Sequence, residues 1–241
     1  MKPFQTWTVL PHGKLTEIDE GILTVAGDLK MPIGQFPRRM TVVRLDDGRL
    51  VIYSAIALDE DEMKQIESYG TPSILVVPND IHRMDAKIWK DRYPSIQVVT
   101  PRGVRTKVSE VVPVDADVAN VDLVDLRVRL VAMPGTDEGD TALVVERVSG
   151  TTIILNDVVW NIPVEKGVRG FFWKLFGFSS EGPSTPRFVV KKKIKDPGAF
   201  AAQLERWAKI RNLRRVIVSH GEIVERNPSS ALRNVAAKVA A

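Results

Sequence analysis

Three histidines stand in the 241-residue chain, His12, His82 and His220, and there is no cysteine. Imidazole and carboxylate are therefore the side chains through which it could hold a transition metal. Thiolate ligands, disulfides and a cysteine nucleophile are excluded. His220 follows Val216-Ile217-Val218-Ser219 and precedes Gly221, and Asp157 follows Ile153-Ile154-Leu155-Asn156. Both apolar runs read as short buried strands, so both residues stand at strand ends, where open α/β sheets place their ligands. His82 comes just after the apolar run 73–77, at what reads as the start of a helix. On such a helix His82, Asp85 and Trp89 would share a face, being three and four residues apart. A strand-end histidine, a strand-end aspartate and a further histidine are residue types that zinc or iron takes. Each alone reads equally as a hydrogen-bonded structural residue, because a metal site needs several ligands. His12 precedes Gly13 in a turn and is given no role.

The elements that must position these residues alternate in kind. Residues 6–10 and 21–26 read as short strands. Met40-Thr41-Val42-Val43-Arg44-Leu45 and Leu50-Val51-Ile52-Tyr53 flank Asp46-Asp47-Gly48-Arg49, and Asp-Gly between two such runs predicts a hairpin. Acidic residues 59–62 open a helix with Met63 and Ile66 inward and Gly70 at its end. A helix with Ile81, Met84 and Ile88 on its apolar side is expected after Pro78-Asn79-Asp80, then a buried strand at 97–99. Residues 124–130 alternate and predict a half-exposed strand. Strands follow at 141–148 and 151–155. Asp196-Pro197 predicts the N-cap and first residue of a helix whose stripe is Phe200, Leu204, Trp207 and Ala208. A strand at 216–218 and a last helix from Asn227-Pro228 complete the chain. We expect a single domain over residues 1–241, two mixed sheets with helices outside.

These elements carry motifs that resemble the metallo-β-lactamase superfamily over residues 4–226, most of all an uncharacterised branch of it. Ser219-His220-Gly221 is similar to the superfamily's last ligand motif, and Leu155-Asn156-Asp157 to its strand-end aspartate. Met133-Pro134-Gly135-Thr136 resembles a Pro-Gly-His turn, with Thr136 in the histidine's place. Pro78-Asn79-Asp80-Ile81-His82-Arg83-Met84-Asp85 occupies the place of the first motif, His-x-His-x-Asp-His, in either of two registers. In one, Asn79 aligns with the first histidine; shifted by one, His82 becomes a ligand and Asp85 approaches the site. Met40 to Ser54, Asn79 with His82, Trp89 and Tyr93-Pro94 resemble the uncharacterised branch. The resemblance implies a four-layer αββα sandwich of the α/β (α+β) class. It implies His220, Asp157, His82 and Asn79 as metal ligands, Asp85 or Asp80 as general base, and one zinc, iron or manganese ion or none.

Two functions are then expected. One is a mononuclear metal-dependent hydrolase of an ester, thioester or phosphoester, with a small-molecule substrate. The other is a metal-free member kept for binding, to which Gly170-Phe171-Phe172-Trp173-Lys174-Leu175-Phe176-Gly177-Phe178 would offer a homodimer or membrane-surface contact. A third, nucleic-acid binding, ranks last. Residues 187–215 hold ten Lys/Arg against Asp196 and Glu205, which leaves the rest of the chain net acidic although the whole is +4. Such a run usually reads as a solvated face. No Gly-x-x-x-x-Gly-Lys-Ser/Thr loop, Gly-x-Gly-x-x-Gly turn or Gly-x-Ser-x-Gly elbow is found. No run of 18 apolar residues and no signal-like start occur, so a cytoplasmic protein without a transmembrane segment is expected.

Overall fold

The computed structural model describes residues 2–31, 34–163 and 182–241. The aromatic stretch 170–178 lies outside the described residues. The chain divides into two compact units, Met1–Leu130 and Val131–Ala241.

The first unit is built on a seven-stranded sheet in chain order: β1 (Thr16–Asp19), β2 (Ile22–Met31), β3 (Gly34–Arg44), β4 (Arg49–Tyr53), β5 (Thr71–Val76), β6 (Gln97–Thr100) and β7 (Ala116–Asp117). Strands β1 to β4 pair antiparallel and β4 to β7 parallel. The switch follows from the connections. The expected Asp-Gly hairpin joins β3 to β4, whereas α1 (Glu60–Tyr69) and α2 (Ala86–Arg92) supply the crossovers that parallel strands require. A turn of 3-10 helix (Arg102–Val104) and α3 (Arg105–Ser109) lead into β7. Met40, Val42, Leu50, Ile52, Leu75 and Val98 form one core with Met63, Ile66, Ile88 and Trp89 of the helices. The Trp89 indole donates to Ile56 O at 3.1 Å, so the largest side chain of this core leaves no polar atom behind.

The second unit carries a four-stranded sheet in the order β11-β10-β9-β8, from β8 (Val128–Ala132, begun in the last residues of the first unit), β9 (Thr141–Arg147), β10 (Gly150–Leu155) and β11 (Leu213–Val218). β9 and β10 form an antiparallel hairpin, and β10 and β11 run parallel. Helices α4 (Arg187–Lys193), α5 (Pro197–Ala208) and α6 (Pro228–Ala240) complete it. The Asp196 carboxylate accepts the Ala199 N–H at 2.9 Å, the expected cap of α5. Phe200, Leu204 and Trp207 pack with Ile153, Leu155, Val216, Val218, Leu232 and Val235. Beyond β11 the chain folds back, and Val224 pairs antiparallel with Val216 on the strand's outer edge.

Three expectations are corrected. Residues 6–10 are not a strand; Trp7 is anchored through its side chain, donating to Leu58 O and lying under the Arg92 guanidinium. Residues 124–127 are not strand either: Asp122 and Asp125 accept the N–H groups two residues on, and this turn chemistry overrides the alternation, leaving Val124 and Leu126 exposed. The helix expected from residue 81 begins at Ala86, because the Asn79 carboxamide turns the chain first, and Ile81 is exposed. No described helix is long and apolar enough to cross a membrane.

Gly70, at the end of α1, lies against the β3–β4 hairpin; a Cβ there would come within 2.4 Å of Gly48 O and 2.7 Å of Leu50 Cδ2. Its φ of 171° is ordinary extended backbone, so the constraint is space. Gly70→Ala is expected to cost about 1–3 kcal/mol of unfolding free energy by overpacking, read from urea denaturation. An unchanged midpoint would show that the hairpin yields at no cost.

Candidate metal centre

The pairing of β10 with β11 fixes the site of the second unit. The strands are parallel with Leu155 opposite Val218, so the second residue beyond each, Asp157 and His220, emerges side by side at the carboxyl ends. His220 Nε2 lies 2.8 Å from Asp157 Oδ1, and Lys193 Nζ lies 3.2 Å from Asp157 Oδ2. Asp157 is 3% exposed and His220 2%. The Trp160 indole donates to the Asp157 carbonyl at 2.6 Å, and its ring lies 4.5 Å from the His220 ring. Phe188 meets Trp160 edge-on at 5.5 Å. Gly221 turns the chain away at a φ of +102°, and a Cβ there would sit 2.1 Å from Asn161 O. The glycine of the His-Gly pair is therefore required by both conformation and space. An imidazole nitrogen and a carboxylate oxygen at this separation form a donor pair that suits zinc, iron or manganese.

Thr136, which stands in the Pro-Gly-His place, turns its hydroxyl onto Met133 O at 2.8 Å. Gly135 before it has a φ of +79° and its carbonyl accepts from Lys195 and Asp196. The turn is fixed by its backbone hydrogen bonds, and the Thr136 side chain serves the turn itself.

The remaining expected residues belong to the first unit, at the carboxyl ends of β4 and β5. Asn79 is fully buried, and its Oδ1 accepts the N–H groups of Ile81 at 2.9 Å and His82 at 3.1 Å. The oxygen that would ligate a metal is thus already a turn acceptor. Asp80 is half-buried in the same turn. His82 and Asp85 lie in the turn before α2. Ser54 Oγ is 2.8 Å from His82 Nδ1, which orients the ring. Asp85, 2% exposed, accepts from Ala57 N at Oδ1 (2.9 Å) and pairs with Arg38 through Oδ2 (2.6 Å). Burial pushes the Asp85 carboxyl above the usual carboxylate range, against the pull of Arg38, the Ala57 N–H and nearby His82. Arg38 is buried too, and its Nε and Nη2 have no hydrogen-bond partner among the described residues.

His12 has a structural use. Its Nδ1–H donates to Gly13 O (2.7 Å), which leaves Nε2 to accept the N–H of Asp59, the N-cap of α1, at 3.2 Å. Asp59 and Glu62 bring carboxylate oxygens close to the same ring.

Three residues of these clusters are not among the site residues expected from the sequence. Ser54 follows β4 at a φ of +57°, which a serine rarely adopts. Arg38 is two residues before Met40 on β3 and so shares its inward face. Lys193 sits in a basic run, but four residues after buried Val189 it shares that inward face of α4.

Solved structures show the fold. The chain matches the DIM-1 metallo-β-lactamase, from a crystal exposed to ceftazidime, with a TM-score of 0.64 and 14% identity over 96% of this chain and 99% of that one. It matches the FIM-1 metallo-β-lactamase of Pseudomonas aeruginosa, in a mono-zinc form, with a TM-score of 0.61 and 12% identity over 95% and 96%. A metallo-β-lactamase from Hirschia baltica gives 0.61 and 10% over 94% and 98%. At these identities the likeness shows the fold alone: an α/β sandwich of the metallo-β-lactamase type with two mixed sheets. No family model matches the sequence, and no curated protein matches it.

Removing one partner of a buried ion pair strands the other charge. Arg38→Met is therefore expected to lose about 3–5 kcal/mol of stability at neutral pH, and Arg38→Met with Asp85→Leu to recover much of it. An acid whose folded pKa is raised stabilises the fold relative to the unfolded chain in its protonated form. The Arg38→Met deficit should therefore be full above the raised pKa of Asp85 and shrink as pH falls through it toward the unfolded carboxylate value. Urea unfolding of both variants across pH 4–8 measures this; a deficit independent of pH would show that Asp85 is not the stranded charge.

Proposed function

We propose that this chain is a mononuclear metal-dependent hydrolase of an ester, thioester or phosphoester, holding its ion at His220 and Asp157. The observation that carries the reading is the imidazole–carboxylate pair, nearly sealed from water, at the carboxyl ends of adjacent parallel strands. The FIM-1 structure is a mono-zinc form, and we carry to this chain the expectation of one zinc, with iron or manganese as alternatives. Bound there, the ion would supply a water of pKa near 7 and polarise the substrate's carbonyl or phosphoryl oxygen. His220 donates through Nε2, and its ring is held by the Trp160 face. Asp157 donates through Oδ1, while Lys193 holds its other oxygen. The sequence resemblance adds His82 and Asn79 as further ligands and Asp80 or Asp85 as general base. We rank Asp80 above Asp85, whose two oxygens already serve Ala57 and Arg38, and His82 above Asn79, whose oxygen closes a turn.

One observation favours a second reading. His220, Asp157 and Lys193 answer one another's polarity without an ion, and Thr136 serves only its own turn. A metal-free binding protein would need no more. The aromatic stretch 170–178 is then the expected contact, for a second copy of the chain, and Phe172→Ser with Trp173→Ser should shift the oligomeric state in solution.

Metal content separates the two. Protein purified without a metal-affinity step is expected to carry about one ion per chain, as a mononuclear site requires, measured by inductively coupled plasma mass spectrometry. His220→Ala and Asp157→Asn should lose it, and His82→Ala tests the third ligand. No ion before or after reconstitution would establish the binding reading instead.

A further inference from the structure

Lys193 closes α4 as the last of three consecutive lysines. Lys191 and Lys192 are exposed, whereas Lys193 points to the same side as buried Val189. Its side chain is 17% exposed and the Asp157 side chain 4%. This contact is therefore unlike a rim salt bridge, whose charges water and salt largely screen. An ammonium at 3.2 Å from Oδ2 is felt in full at a carboxylate whose other oxygen faces His220.

We propose that Lys193 sets the divalent-cation affinity of the His220–Asp157 pair, by placing a fixed positive charge on Asp157 Oδ2 that any bound ion must share. The inference rests on the metal reading above. Two effects of the ammonium act in the same direction. It draws carboxylate charge away from the donor oxygen, and it repels a dication a few ångströms away. A third effect opposes them, since the same contact helps to orient the carboxylate. Asp157 is also held through its backbone, whose carbonyl accepts from the Trp160 indole, so loss of Lys193 removes repulsion more than it removes order. Lys193 thus acts through Asp157, as a positioning and charge-setting residue. It keeps the pair neutralised without an ion and makes the site bind one less tightly than its ligands alone would.

The full chain, stripped with a chelator, is titrated with Co2+ and Zn2+ by calorimetry and by the visible absorbance of bound cobalt. Wild type is compared with Lys193→Met, Lys193→Gln and Lys193→Arg, with circular dichroism as the check on folding. The neutral variants are expected to bind at least about tenfold tighter than wild type, and the arginine variant within about threefold of it, because arginine keeps the charge. A lysine with only a structural role would give neutral variants that bind equally or more weakly. That result, alongside a wild type that binds one ion, overturns the proposal and leaves the metal reading standing. Binding by the neutral variants alone supports the proposal and overturns the metal reading for the natural chain. Binding by none of the four overturns both.

Discussion

A carboxylate almost sealed from water must be answered at atomic range, and Asp157 is answered on both oxygens. His220 takes one and Lys193 the other. Much of the second unit follows from that requirement. Parallel pairing of β10 with β11 delivers the imidazole, the length of α4 delivers the ammonium, and Trp160 closes over the ring while tying its own indole N–H to the Asp157 carbonyl. The left-handed turn at Gly221 lets the chain leave without lifting His220 from the pair. Charge compensation here is built from three separate elements of the chain, so the site forms only when the sheet and α4 are both in place.

The first unit meets the same requirement differently. Asp85 is also a buried carboxylate, but its partners are an arginine and a backbone N–H, and the pair sits beside Ser54, Asn79 and His82. Burial of an ion pair is weak evidence for stability, because desolvation offsets the attraction. Nε and Nη2 of Arg38, without a partner among the described residues, make that cost larger. Such an arrangement is more economically explained by what it fixes than by what it stabilises: it anchors the turn that carries His82 to β3.

The parts of this arrangement that a sequence displays are those that depend on one element at a time. Asp157 and His220 were legible because each ends an apolar run, and the fold class was legible because its motifs lie in the right order. The register that sets Leu155 opposite Val218 is a property of two strands, and no local pattern states it. Lys193 was hidden because a charge run on a helix is normally solvated, and one inward position among three lysines is set by the packing of α4. The helix after Asn79 starts later than its periodicity predicts, because a carboxamide that caps two N–H groups competes with helical periodicity over five residues. Likewise Asp122 and Asp125 broke an alternation that looked like strand.

The fold-back after His220 has a consequence for how the molecule keeps to itself. β11 is the last strand of its sheet, and a bare edge of that kind invites another chain to add a strand. Val224 occupies that edge, exchanging both ladder hydrogen bonds with Val216. The segment that begins by releasing the chain from the site thus ends paired with the buried part of β11. A strand from another copy would have to displace Val224 from Val216 to pair there, so the turn that holds the histidine also shortens the edge open to strand addition.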